Sequence, residues 1–163
     1  DLMILNAGVI GEIAEMKDQS IEKMQQVFEI NLWANKPIID SALSCIKRVD
    51  KVVAISSGAA LSPKIGWYLY CSSKSAFKFL IESYALENNK TKYINISPGL
   101  IKTKMQDQIC KIDEKKISSV KKFKILNRKN KVPVPDQVAE NIINFIQNYK
   151  FNKNGEYYDI RKK

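Results

Sequence analysis

The 163-residue sequence contains no histidine. That absence excludes histidine-based triads and histidine metal sites, and leaves proton transfer to Tyr, Lys, Asp, Glu, Cys or water. Cysteine is also scarce. Cys45, Cys71 and Cys110 are odd in number, far apart and without metal-ligand spacing, so no metal site is expected and a reducing setting is the natural reading. No apolar run approaches the roughly 20 residues of a membrane-spanning helix. No secretory pattern opens the chain, and the expectation is a cytoplasmic protein without a membrane partner.

Arginine is limited to Arg48, Arg128 and Arg161, although Lys and Arg together number 27 and the formal net charge is +10. The charge is uneven. Residues 102–131 hold eleven Lys or Arg against Asp107, Asp113 and Glu114. Such a stretch reads as a basic lid over an anionic ligand, as a surface for an acidic partner, or as a solvated and partly mobile loop. Arginine forks and interleaved aromatics are nearly missing from it, which argues against nucleic acid.

The rest of the chain alternates between strand and helix patterns. Residues 2–5, 51–57, 92–97 and 157–160 are short apolar runs that read as strands. Residues 20–47 carry helical spacing through Met24, Val27, Phe28 and Leu32, with Ser20 as cap and Pro37 expected to bend or restart the helix. Residues 68–88 place Phe77, Leu80, Ile81 and Tyr84 on one face. Residues 135–149 begin with proline and carry Val138, Ile142, Phe145 and Ile146. Residues 107–130 are charged and only weakly periodic. The alternation predicts a single α/β domain, a partial doubly wound (Rossmann-like) parallel sheet of about four strands with flanking helices. Ligands of such sheets bind beyond the carboxyl ends of the strands, here Asn6-Ala7-Gly8, Ser56-Ser57 and Pro98-Gly99.

Within that frame, Ser57 closes a strand, Tyr70 follows thirteen residues later, and Lys74 stands one helical turn beyond. An ammonium beside the phenol is expected to lower the tyrosine pKa from about 10 and ready it for proton exchange. Ser57 can bind the oxygen on which charge develops, which reads as carbonyl reduction or alcohol oxidation. Tyr-x-x-x-Lys recurs at Tyr149/Lys153 and Tyr158/Lys162, but Asp136 and Phe145 stand thirteen residues before those tyrosines. Trp67 and Tyr68 can line an aromatic pocket or serve as surface or core packing.

Together with Asn31 in Ile30-Asn31-Leu32 and the run Pro98-Gly99-Leu100-Ile101-Lys102-Thr103, these motifs resemble the short-chain dehydrogenase/reductase family across nearly the whole chain. The resemblance implies an NAD- or NADP-dependent oxidoreductase acting on a small carbonyl or alcohol. Tyr70 would be the acid/base. Lys74 would lower its pKa and hold the nicotinamide ribose, and Ser57 would orient the carbonyl. Asn31 would fix a water through its backbone carbonyl at a helix distortion. Asn6, Ala7, Gly8, Pro98, Gly99, Ile101 and Thr103 would contact the cofactor with Tyr70 and Lys74. Residues 102–131 would correspond to the family's mobile substrate loop, and the helices at 20–47 and 68–88 to its oligomerisation face.

The family's Gly-x-x-x-Gly-x-Gly turn is absent, as is the strand that reads the adenosine ribose. The chain opens at what resembles the family's fourth strand. The expectations are an incomplete domain, an exposed apolar edge at residues 2–5, and partnership with a missing N-terminal half or with further copies. A non-catalytic remnant serving as an assembly subunit is the alternative to an enzyme.

Overall fold

The computed structural model describes residues 1–45, 49–150 and 153–161. Four strands, β1 (Leu2–Leu5), β2 (Lys51–Ile55), β3 (Lys92–Ser97) and β4 (Tyr157–Asp159), form one parallel sheet in chain order. The register sets Ile4 beside Val53, Val53 beside Ile94, and Ile96 beside Tyr158. Val52, Val53, Ala54, Tyr93, Ile94 and Ile96 are all buried. Apolar residues without alternation are what a strand covered on both faces requires.

The cover comes from six helices: α1 (Ile21–Phe28), α2 (Asn35–Cys45), α3 (Tyr68–Glu87), α4 (Lys104–Lys111), α5 (Lys121–Arg128) and α6 (Pro135–Asn148). Ile39 of α2 and Phe77 and Ile81 of α3 pack with Val52, Ala54 and Tyr93. Val138, Ile142 and Ile146 of α6 pack with Val53, Ile94 and Ile96. Among the described residues β1 pairs only with β2, and Leu2 and Ile4 remain 50% and 46% exposed. This is the apolar edge expected from the sequence.

The helix expected over 20–47 is divided. Ser20 caps α1 by accepting from the Lys23 amide at 3.4 Å. The chain then widens into a π turn over Glu29–Trp33, with the Ala34 amide reaching the Glu29 carbonyl at 2.9 Å. The break therefore falls at Asn31 and not at Pro37, which sits in the first turn of α2, where its missing N–H is best tolerated. Residues 46 and 47, at the end of the expected helix, lie outside the described residues.

The basic stretch also differs from expectation. It folds into α4, a short 3₁₀ turn at Ser118–Val120, and α5. Ile109, Ile117 and Val120 are buried with Ile13 and Trp67, and the Lys102 amide is tied to the Pro133 carbonyl at 2.9 Å. Charged residues crowd the outer face, and Ile109, Ile117 and Val120 seat the segment, with Met105, Ile112 and Phe123 partly buried against them.

Candidate active site

Strand β2 ends at Ile55, two residues short of its expected boundary. Ser57 is extended and caps the 3₁₀ turn Gly58–Ala60, its Oγ accepting from the Ala59 amide at 3.1 Å. Helix α3 starts at Tyr68, so Tyr70 falls in its first turn and Lys74 one turn later. Both are buried.

Lys74 lies among apolar groups. Its Nζ donates to the Ile55 carbonyl at 2.9 Å and stands 5.2 Å from the centre of the Phe77 ring. Among the described residues no carboxylate pairs with it, and burial alone lowers its pKa from 10.5 to about 8. It therefore still holds its proton at neutral pH.

The expected lowering of the Tyr70 pKa does not occur. Burial pushes the phenol above its ordinary 10, and the neighbouring Ser57 hydroxyl offsets this only in part. The Lys74 ammonium is directed at the Ile55 carbonyl, while Tyr70 is enclosed by an aromatic wall, with the Trp67 ring edge-on at 6.2 Å. Desolvation is the largest influence on the phenol.

Asn31 is fully buried in the π turn, where the expected helix distortion is found. Its amide grips the loop after β1 in both directions, accepting from the Val9 N–H and donating to the Val9 carbonyl, each at 2.8 Å. It also donates to the Ser73 hydroxyl at 2.9 Å, joining that loop to α3. Its own backbone carbonyl accepts from the Asn35 side chain at 3.2 Å. Gly8 lies at this junction. A Cβ there would stand 3.3 Å from Lys74 Nζ and 3.5 Å from Asn31 Oδ1.

These elements open onto a cavity of about 600 Å³ at the carboxyl edge of the sheet. Asn6, Gly8, Ser57, Tyr70, Lys74, Pro98, Gly99, Ile101 and Thr103 line it together; Ala7 and Asn31 do not. Trp67 lines it and is also packed, stacking on Phe123 at 4.9 Å and donating from Nε1 to the Ser119 hydroxyl at 2.9 Å. Tyr68 points away, with its hydroxyl toward Met24.

Sequence reasoning missed Lys64, Lys122, Phe123, Leu126 and Arg161, which also line the cavity. Phe123 and Leu126 carried a usable signal, since they are three apart and continue the spacing from Val120. Arg161 carried none. It arrives through the pairing of β4 with β3, forms an ion pair with Asp159, and lays its Cδ where a Gly99 Cβ would be, 2.6 Å away. Gly99 has φ of +82°, so a side chain there would be strained as well as crowded.

A family model described as short chain dehydrogenase matches residues 1–113. Benzil reductase ((S)-benzoin forming) of Bacillus subtilis is 30% identical over 98% of this chain and 68% of its own length. Sepiapterin reductase of Bos taurus is 27% identical over 97% of this chain and 62% of its own. The chain thus spans about two thirds of the length of these relatives. Among solved structures, the KRED1-Pglu enzyme superimposes with a TM-score of 0.89 at 23% identity, over 97% of this chain and 68% of that one. A putative short chain dehydrogenase of Escherichia coli CFT073, complexed with NADPH, gives 0.74 at 20% identity over 99% of this chain and 62% of that one. Both share its fold.

Proposed function

Because this chain belongs to the short chain dehydrogenase family, we propose that it carries the proton-transfer part of an NAD(P)(H)-dependent oxidoreductase that reduces a carbonyl to an alcohol. The observation that carries this reading is the meeting of Ser57, Tyr70 and Lys74 on one cavity at the carboxyl edge of the sheet. Burial raises the Tyr70 pKa from its ordinary value, which favours the protonated phenol. A protonated phenol can serve as the proton donor in carbonyl reduction.

The residues fit the nicotinamide end of the cofactor. Gly8 leaves space beside Lys74, the Ser56 hydroxyl is buried without a partner, and Pro98, Gly99, Ile101 and Thr103 line the same cavity. When bound, the nicotinamide supplies hydride to the carbonyl carbon. Tyr70 gives its proton to the substrate oxygen, and Ser57 donates a hydrogen bond to that oxygen as negative charge grows on it. Lys74 holds the ribose hydroxyls and keeps positive charge near the phenolate that remains. Asn31 acts at one remove, holding the loop that carries Gly8. The sequence has no Gly-x-x-x-Gly-x-Gly turn, and these residues offer no cradle for the cofactor diphosphate.

Two measurements test this. Titrating the fluorescence of the 163-residue chain with NADH and NADPH is expected to give weak binding or none; saturation at micromolar cofactor would contradict the expectation. Where turnover is found, Tyr70→Phe should abolish it and leave cofactor affinity nearly unchanged. Undiminished turnover would remove Tyr70 from its role. The alternative, an assembly subunit without catalysis, draws on the half-exposed Leu2 and Ile4 edge. Turnover lost in Tyr70→Phe would exclude it.

A further inference from the structure

The side chains lining the cavity include four cations, Lys64, Lys74, Lys122 and Arg161, and not one carboxylate. In residues 102–131 the three acids, Asp107, Asp113 and Glu114, are all outside the lining. Lys74 belongs to the chemistry above, and Arg161 is held by Asp159. Lys64 and Lys122 are different. Neither has an Asp or Glu ion-pair partner among the described residues; the Lys64 Nζ donates to the Ser62 carbonyl at 3.5 Å, and Lys122 is exposed at the start of α5. The stacked pair Trp67–Phe123 lines the same cavity.

Resting on the carbonyl-reductase reading, we propose that the substrate is an aryl or similarly apolar carbonyl compound bearing a carboxylate, such as an aromatic keto acid. Its ring would lie against Trp67 and Phe123, and its carboxylate would be met by Lys64 and Lys122. The chemistry is complementary in both respects. An apolar ligand is favoured by the aromatic wall. An anion entering beside two unpaired ammonium groups, where no carboxylate opposes it, gains attraction that a neutral ligand cannot. The expected overall reaction balances. One hydride and one proton add across the carbonyl, NAD(P)H becomes NAD(P)⁺, and the carboxylate passes through unchanged.

The cofactor's own diphosphate is the other anion that two lysines can attract, and the experiment separates the two. Isothermal titration calorimetry on the full chain would compare phenylglyoxylate, its neutral methyl ester, and inorganic pyrophosphate. Phenylglyoxylate should bind about tenfold tighter than the ester at low salt, with the gap shrinking as salt rises. Lys64→Gln and Lys122→Gln should each cut the affinity for phenylglyoxylate several-fold and leave the ester untouched. Equal affinity for acid and ester, or no binding of either, would overturn the proposal. Pyrophosphate binding tighter than phenylglyoxylate through the same lysines would overturn it too, assigning them to the cofactor. Circular dichroism of each variant confirms that a lost affinity is not lost folding. Failure here is distinct from failure of the reductase reading. Tyr70-dependent reduction of neutral ketones with no preference for acids would sink the substrate class alone. Acid-selective binding without any turnover would sustain the anion site and sink the activity.

Discussion

The floor and the roof of the cavity are built on different principles. The floor consists of strand ends and the first turns of α3, where positions are fixed by sheet register and by buried polar bonds such as Asn31 to Val9 and Lys74 to Ile55. The roof consists of two eight-residue helices, α4 and α5, seated by Ile109, Ile117 and Val120, rich in lysine and lined toward the cavity by Met105, Phe123 and Leu126. The floor holds groups whose placement decides whether a proton can move. The roof presents aromatic and cationic surface whose placement decides what is held. The same net charge therefore has opposite meanings in the two regions. A buried lysine with no counter-charge is costly and points to function, whereas lysines on the outer face of α4 and α5 are ordinary solvated polarity.

The contrast can be broken most severely at Tyr70. Where turnover is measurable, Tyr70→Phe should lower kcat by about 10²–10⁴-fold, the range for loss of a general acid, with unfolding midpoints nearly unchanged. A drop below tenfold would move the chemistry elsewhere.

Next comes the packing beneath the floor. Phe77 is fully buried and stands beside Lys74. Phe77→Ala should cost about 3–5 kcal/mol of stability in urea denaturation, the usual range for a cavity of that size. A cost under 1 kcal/mol would mean that this part of the floor is not rigid.

Lys74 sharpens the comparison through pH. Its folded pKa of about 8 lies below the ordinary 10.5, so the unfolded chain binds this proton more tightly. The penalty for burying the charge is complete below pH 8 and is relieved as pH rises from about 8 to 10.5. Stability therefore increases with pH across that window. Lys74→Met should remove the rise and be more stable at pH 7 by up to about 3 kcal/mol, by the linkage of pKa to folding. Urea midpoints of the two proteins from pH 7 to 10 give the difference directly; parallel curves would refute it.

Smaller still is the hinge between loop and helix. Asn31→Ala leaves the Val9 amide and carbonyl without their buried partner, at a cost of about 2–3 kcal/mol. Its signature is faster amide exchange at Val9 with little change in α6. The roof should be the most tolerant. Lys122→Gln is expected to shift stability by no more than about 0.5 kcal/mol, so a larger loss would show that α5 is held by charge as well as by its apolar face.

How legible all this was depended on the kind of order involved. Strand β3 and the starts of α3 and α6 stand where the apolar runs and Pro135 placed them, because local pattern and global burial agree there. Helical spacing placed the break in the first long helix at Pro37, while the family resemblance implied the distortion found at Asn31; a proline is tolerated in a first turn, and the Asn31 amide is demanded by the loop at Val9. The roof was read as a charged loop because its apolar residues are few. Their number was small, but Ile109, Ile117 and Val120 among them are buried.

Two of the three tyrosine–lysine pairs mark the boundary between pattern and placement. Tyr70/Lys74 and Tyr149/Lys153 have the same spacing, yet Tyr149 ends α6, stacked on Phe145 at 4.3 Å, and Lys153 lies exposed beyond the helix. The sequence by itself determined the α/β class, the four strands and the motif residues at the strand ends that face the cavity, because alternating periodicity and motif spacing are local properties. Only the tertiary structure decided the direction in which burial moves the pKa values of Tyr70 and Lys74, the grip of Asn31, and the arrival of Lys122 and Arg161. Those depend on what excludes water from a side chain, and that is set by residues distant along the chain.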